Sequence, residues 1–249
     1  MKELGNFICE SGILRISDPC YDLKVWCAGQ LENCKKGTWK AIANYQEDDI
    51  FYNVNYELEG GLPFKTYRVS SLICYHSDIN FDNIIFDNKA DFTVGVDSGQ
   101  SGIFCLNHYQ DNSIVPEDFK FEYNGYYRKE FFKDKITGEY DHFSLIMKYY
   151  EQKDPITGFD NFIDMNDVKF ISKPCIEKWI CSDNHEKWYD MCCSKTLDRE
   201  TLGGVIPFGA VSSTGYGDGS YECTYQKINN EIVAIKINYL EYDEEDEDD

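Results

Sequence analysis

Alternating hydrophobic and polar positions predict β-strands along much of the chain. In the segment 50–58, Tyr52, Val54 and Tyr56 fall on one face, and asparagines stand between them. This period-two alternation is typical of a half-buried antiparallel strand. Apolar and alternating patterns predict further strands over 11–17, 38–45, 65–75, 92–96, 102–106, 205–213, 220–227 and 231–240.

Helical spacing occurs in two places. Apolar residues from Leu23 and Trp26 to Cys34 recur every three or four positions, which predicts a helix that ends near Gly37. The same spacing predicts a short helix over 184–194. Together the elements predict an α+β fold, mainly an antiparallel sheet with a few short helices.

Two turns have clear local signatures. Asp18-Pro19 ends the first strand, because proline cannot continue a hydrogen-bonded ladder and the residue before it favours a turn. Asn229-Asn230 is a tight-turn pair between the last two predicted strands.

The charge of the chain limits its partners. The 249 residues include 45 acidic and 24 basic side chains, for a formal net charge of -21. Phosphates would be repelled, so we expect no direct binding to nucleic acid or to an anionic membrane. No apolar run approaches the ~20 residues that span a bilayer. Residues 1–10 carry no signal-peptide pattern, which predicts a cytoplasmic location.

The last nine residues hold part of the acidity, and the rest of the chain is acidic in its own right. The segment 241–249 (EYDEEDEDD) has eight acidic residues and no basic one, which predicts a disordered acidic tail. Two roles remain open, a solubilising tail and a docking tail for a basic partner. In the docking role, the partner would contact Asp243, Glu244, Glu245 and Asp246.

The cysteines indicate reduced thiols. There are 11, an odd number, and no pair has the C-x2-C spacing of a structural zinc site. We therefore expect neither a metal site nor a cofactor. Cys20, Cys192 and Cys193 are candidate nucleophiles, but His185 is too far from Cys192 along a straight helix to act as its base.

Three turns place an aspartate among glycine, serine or proline. They contain Asp18, Asp97 and Asp218. In one interpretation each carboxylate accepts hydrogen bonds from nearby backbone N–H groups and stiffens its own turn. In the other, the turns converge on a polar pocket that binds a cation or a cationic ligand, or that supplies an acid and a base. The pocket residues would be Asp18, Cys20, Tyr21, Asp97, Ser98, Gln100 and Asp218.

Several motifs resemble those of one family. They are RISDPCY (15–21), VGVDSGQSGIF (94–104), WYDMCC (188–193), VIPFG with its preceding glycine (204–209) and VSSTGYGDGSY (211–221). In this order they resemble an uncharacterised bacterial and phage-borne domain of unknown function. The resemblance implies no established activity. Occurrence on mobile elements associates the family with immunity or anti-defence roles.

The chain departs from this family in its middle part. A longer stretch at about 124–183 predicts an insertion within a single α+β domain over 1–240, followed by the tail at 241–249. Near its start, Tyr123, Tyr126 and Tyr127 form either an exposed interaction patch or part of a lid packed on the sheet.

These observations favour a non-enzymatic acidic binding protein. It would be an inhibitor or an immunity or anti-defence protein that mimics nucleic acid and docks on a basic, nucleic-acid-binding protein or a ribonucleoprotein. The alternative is a protein that binds a small ligand or cation, or a hydrolase, using the pocket of the three turns. A structural or regulatory domain without its own chemistry is a third class.

Overall fold

The structure, a computed structural model, describes residues 1–47, 67–119, 187–198 and 200–240, together with the strand backbone of 57–58, 121–134, 140–142 and 163–179. The chain divides into two units. The first unit comprises Met1–Asp48, Lys65–Phe121 and Trp179–Asp249, and the second comprises Asp49–Phe64 and Glu122–Lys178.

Two antiparallel sheets form the framework of the first unit. The larger sheet has six strands in the order β1 (Lys2–Cys9), β4 (Gly37–Glu47), β6 (Tyr67–His76), β15 (Glu231–Asn238), β14 (Gly219–Ile228) and β7 (Asn88–Val96). The smaller sheet has five strands in the order β12 (Gly203–Ile206), β13 (Gly209–Ser213), β8 (Gln100–Cys105), β2 (Ile13–Ser17) and β3 (Gly29–Glu32).

The second unit contains a four-stranded sheet. Its strands follow the order β10 (Tyr140–His142), β9 (Phe121–Asp134), β11 (Ile163–Trp179) and β5 (Glu57–Leu58). β9 and β10 are antiparallel, whereas β5 and β11 are parallel.

The main core of the first unit lies between its two sheets. Strand alternation places Ile103 and Cys105 of β8 in this core together with Trp39 of β4 and Ile235 of β15. Between the two β8 residues, Phe104 faces the opposite way. Both sheets therefore bury one face against each other, as expected for packed antiparallel sheets.

The outer faces of the two sheets are covered differently. The helix α1 (Lys187–Thr196) packs Trp188 and Met191 on Phe104 and Val211 of the five-stranded sheet. On the six-stranded sheet, the loop residues 79–86 cover Ile42, Ile73, Tyr75 and Ala234. This loop covers part of the outer face.

The predicted fold class is confirmed in its main feature. Most of the described secondary structure is antiparallel sheet, as the alternation predicts. Helix content is low, because the described residues contain one α-helix and three short 3-10 helices, at Phe81–Asn83, Leu106–His108 and Asn112–Ile114.

The predicted helix from Leu23 to Gly37 is wrong. This segment forms turns followed by β3, in which Gly29 and Leu31 are buried and Gln30 and Glu32 are exposed. A Cβ at position 29 would lie 2.3 Å from the ring of Phe92, so the buried residue must be glycine. Because glycine carries no hydrophobic side chain, the sequence pattern did not show this alternation.

The predicted strand over 205–213 is a hairpin. Ile206 pairs with Gly209, and the turn between β12 and β13 contains Pro207 and Phe208. Proline lacks the N–H that a central ladder requires, which explains the break. Of the strand predicted over 50–58, only Glu57–Leu58 lies within the described residues.

The predicted domain organisation stays a prediction. The second unit draws on 49–64 as well as on 122–178, whereas the predicted insertion was a single stretch at about 124–183. The acidic tail at 241–249 lies outside the described residues.

The Asn229-Asn230 turn is confirmed and can be tested. Both residues have positive φ, of 51° and 67°, and Ile228 pairs with Glu231 around them. A β-branched residue is strained at positive φ, so we expect Asn230→Val to lower the free energy of unfolding by about 1–2 kcal/mol in urea titrations. Asn6→Val, at an exposed strand position, is the control and should change it little. Equal losses would contradict the turn geometry.

Candidate functional site: three turns joined by buried aspartate

Three turns meet at one end of the first unit. The first follows β2 and is closed by the N–H of Tyr21, which donates to the carbonyl of Asp18 at 3.1 Å. The second, Asp97 to Gly99, leads from β7 to β8. The third follows β13 and precedes β14. Hydrogen bonds join these turns to one another, as the hypothesis of converging turns requires.

The carboxylate of Asp18 joins the first turn to the second. Its Oδ2 accepts hydrogen bonds from the backbone N–H groups of Asp97 and Ser98, at 3.0 and 2.8 Å. Its Oδ1 accepts from the Ser98 hydroxyl at 2.7 Å and from the N–H of Cys20 at 2.9 Å. Asp18 is fully buried and has lost its hydrogen bonds to water. These four protein donors take the place of those hydrogen bonds.

Hydrogen bonds also connect the second turn to the third. The N–H of Gly99 donates to Oδ1 of Asp218 at 3.1 Å, and the N–H of Thr214 donates to the carbonyl of Gly99 at 3.1 Å. Gly99 and Gly217 have φ of +67° and +105°, which glycine adopts without strain. The two outer aspartates, Asp97 and Asp218, remain exposed.

This geometry gives Asp18 a structural role. All of its strong acceptor positions are occupied by the protein, and no part of it is exposed. It therefore does not line an open pocket, in contrast to the pocket hypothesis. The interpretation in which the aspartate stiffens the turns describes Asp18 well.

Gln100 is held by α1 and is linked to the predicted pocket residue Ser98 through Tyr189, which forms hydrogen bonds with both side chains. Its amide is buried and faces α1, where Nε2 donates to Sγ of Cys193 at 3.4 Å and Oε1 accepts from the hydroxyl of Thr196 at 3.1 Å. Gln100 thus joins β8 to the helix. The sequence grouped Gln100 with Ser98 but did not reveal the helix that contacts both side chains.

Cys20 and Tyr21 lie beside the cluster, but neither is activated as a base or nucleophile. Partial desolvation, then the hydrogen bond to Asp18 and its negative charge, raise the pKa of the exposed Cys20 thiol to about 12. Burial and then contacts with Asp97 and Cys27 raise the pKa of the Tyr21 hydroxyl. Both groups are protonated near neutral pH.

The other candidate nucleophiles are also unsuited to catalysis. Cys192 is buried and Cys193 partly buried, and desolvation raises the pKa of both thiols. His185 lies outside the described residues, and within those residues no histidine is hydrogen-bonded to a cysteine. The described part of the chain also contains no group of three or more His, Cys, Asp or Glu that could hold a metal ion.

Sequence reasoning missed the exposed side chains beside the turns. Trp26 is 88% exposed and Leu23 54% exposed, although the helical pattern predicted that both are buried. Tyr216, in the third turn, is 61% exposed. We call Leu23, Trp26, Tyr216 and the exposed carboxylates Asp97 and Asp218 the turn surface.

The loop that carries Trp26 is fixed at both ends. Arg15 donates to the carbonyl of Asp22 at 3.3 Å, and the N–H of Gly95 donates to the carbonyl of Cys27 at 2.6 Å. A Cβ at position 95 would lie 2.8 Å from Cys27, so the loop packs directly on the β7 backbone. The exposed tryptophan is therefore presented by an anchored loop.

Tyr216 is held in a similar way. The guanidinium of Arg68 lies 4.7 Å from the centre of the Tyr216 ring and donates to the carbonyl of Gly215 at 3.2 Å. A cation over an aromatic face stabilises that ring position.

The other predicted partner-binding residues lie in β9 and in the C-terminal tail. Tyr123, Tyr126 and Tyr127 lie in β9, whose backbone is described. Asp243, Glu244, Glu245 and Asp246 lie outside the described residues. Their predicted roles stay predictions.

Comparison of the chain with known protein families, curated proteins and solved structures found no match. No described helix is long and apolar enough to cross a membrane.

Removing the charge of Asp18 should destabilise the fold. In Asp18→Asn, one acceptor oxygen becomes an NH2 group that faces backbone N–H donors, so we expect unfolding free energy in urea to fall by about 3 kcal/mol. Asp22→Asn, at an exposed carboxylate in the same loop region, should stay within about 0.5 kcal/mol of the parent. Similar unfolding free energies for both variants would show that the buried hydrogen bonds of Asp18 do not stabilise the fold.

The raised pKa of Cys20 predicts low reactivity. With a pKa of about 12, only ~0.01% of the thiol ionises at pH 8, against about a quarter for an ordinary cysteine. Iodoacetamide should therefore modify Cys20 at least ~100-fold more slowly in the folded chain than in the urea-unfolded chain, as followed by peptide mass spectrometry. Equal rates would indicate an accessible thiolate and would restore the case for a cysteine hydrolase.

Proposed function

We propose that this chain is a non-enzymatic binding protein that docks on a basic protein or ribonucleoprotein through its turn surface. The observation that carries the proposal is Trp26, which is 88% exposed on an anchored loop. Tryptophan is among the residues that most often dominate binding energy at protein interfaces. Because the loop is fixed, binding requires little additional ordering of the backbone.

Charge supports the choice of a basic partner. On the loops that bear the turn surface, Asp22, Asp97 and Asp218 are exposed, against one lysine, Lys24. One further cation, Arg68, lies against Tyr216. The whole chain has a formal net charge of -21, with eight acidic residues in its last nine. Complementary charge speeds association and makes it sensitive to salt. A basic nucleic-acid-binding surface fits this pattern.

The cluster beneath the surface supports binding rather than catalysis. Asp18 has its hydrogen-bonding capacity occupied by the protein, and the pKa values of Cys20 and Tyr21 are raised. An acid, a base or a nucleophile would need an accessible group with a pKa near the working pH. The same hydrogen bonds hold the exposed loops in fixed positions, which favours recognition.

Site-specific cross-linking tests this proposal. A photoreactive benzoylphenylalanine at position 26 should cross-link to a basic protein in a lysate of the native host, and high salt should abolish the cross-link. The same probe at position 85 is the matched control, since Ile85 is 66% exposed on a different loop. With the cross-linked protein purified, Trp26→Ala should weaken binding at least ~30-fold and Ile85→Ala by less than ~2-fold.

The charge contribution is measured separately. Asp97→Asn combined with Asp218→Asn, and deletion of 241–249, should each slow association and reduce its salt dependence. The proposal fails if positions 26 and 85 capture the same proteins, if the captured protein is acidic, or if Trp26→Ala binds as tightly as the parent.

A further inference from the structure

A polar cleft lies on the outer face of the six-stranded sheet. The loop residues 79–86 cover one part of this face, where it is apolar. Elsewhere the face holds a cleft of about 330 Å³, whose lining includes Asn44, Ser71, Glu222 and Asn238. The lining of the cleft shares no residue with the turn surface, so this inference does not rest on the proposed function.

Strand register places these polar side chains in one row. Asn44 of β4 is opposite Ser71 of β6, Ser71 is opposite Asn238 of β15, and Asn238 is opposite Glu222 of β14. Directly opposed side chains on one face of an antiparallel sheet lie about 5 Å apart. The row therefore crosses four strands, and Lys236 stands two residues from Asn238 on the same face.

A local irregularity adds a second hydroxyl to the cleft. The pairing of β4 and β6 shifts register next to Asn44, which is typical of a β-bulge. Val69 and Leu72 both reach the main core, and the two serines between them, Ser70 and Ser71, both line the cleft. A regular strand would have placed only one of these serines there.

The charges in the cleft leave one cation without an acidic partner. Glu222 forms an ion pair with Lys89. Lys236 forms no ion pair with any described residue, and its ammonium lies 5.9 Å from the ring centre of Phe86. Burial partly desolvates the ammonium of Lys236 and so lowers its pKa. A bound anion would offset that cost.

We propose that this cleft binds a small anionic ligand that carries hydroxyl groups, of the size of a sugar acid or a sugar phosphate. The anionic group pairs with Lys236. The amides of Asn44 and Asn238 and the hydroxyl of Ser71 provide both donors and acceptors, which match ligand hydroxyl groups. The cleft volume lies at the lower end of the range for small-molecule sites.

Binding of three defined probes to the full chain tests the proposal. D-Glucuronate, D-glucose 6-phosphate and neutral D-glucose are titrated while backbone and side-chain amide signals are followed by NMR. We expect at least one charged probe to saturate with a Kd of about 1 mM, shifting the amide signals of Asn44 and Asn238, and D-glucose to bind at least ~10-fold more weakly. Comparing glucuronate with the phosphate shows which anionic group the cleft prefers.

Two lysine variants provide the matched comparison. Lys236→Met keeps the length of the side chain and removes its charge, and should weaken the charged probe at least ~10-fold. Lys40→Met changes a lysine that also lies over an aromatic ring, Tyr75, but does not line the cleft, and should leave binding unchanged. The proposal is overturned if neither charged probe saturates. It is also overturned if Lys236→Met binds the charged probe as tightly as the parent while thermal unfolding shows that both proteins are folded.

Discussion

The hydrogen bonds of the Asp18 carboxylate join the two sheets of the first unit at one end. Asp18 follows β2 of the five-stranded sheet, and its donors lie in the turn that carries the chain out of the six-stranded sheet. The same turn is bound to the turn before β14 through Asp218. A single buried charge therefore fixes both sheets at one end. Its burial is tolerated because every strong acceptor position is filled.

A second buried polar group performs a related task inside the core. The hydroxyl of Tyr239, at the end of β15, lies 2.8 Å from the hydroxyl of Ser101 and 3.0 Å from that of Ser212. These serines belong to β8 and β13 of the other sheet. These hydroxyl groups hold the two sheets together inside the core, and the side chains proposed for recognition lie at the surface. There they occur in two settings, aromatic groups on anchored loops and a polar row on an open sheet face.

Local patterns predicted much of the sheet framework, whereas long-range contacts decided what the patterns missed. Alternation predicted β4 and β14, and the Asn229-Asn230 pair predicted the final hairpin, because each signal lies within a few residues. The helix expected from Leu23 is absent, and Leu23 is exposed. The sequence pattern did not indicate β3, because one of its buried positions is the glycine Gly29. The shared composition of the three turns, an aspartate among glycine, serine or proline, indicated that they converge. That α1 holds Gln100 could not be predicted, because its hydrogen-bond partners Cys193 and Thr196 are over ninety residues away.

The strand order also has a consequence for how the protein is made. β6 lies between β4 and β15, yet β15 follows it by roughly 150 residues, at the other end of the chain. At translation rates of about 5–20 residues per second, one edge of β6 waits roughly 8–30 s for its neighbour. An unpaired strand edge is a template for association with other chains. During synthesis, this edge of β6 therefore stays open to pairing with other chains until β15 has been made.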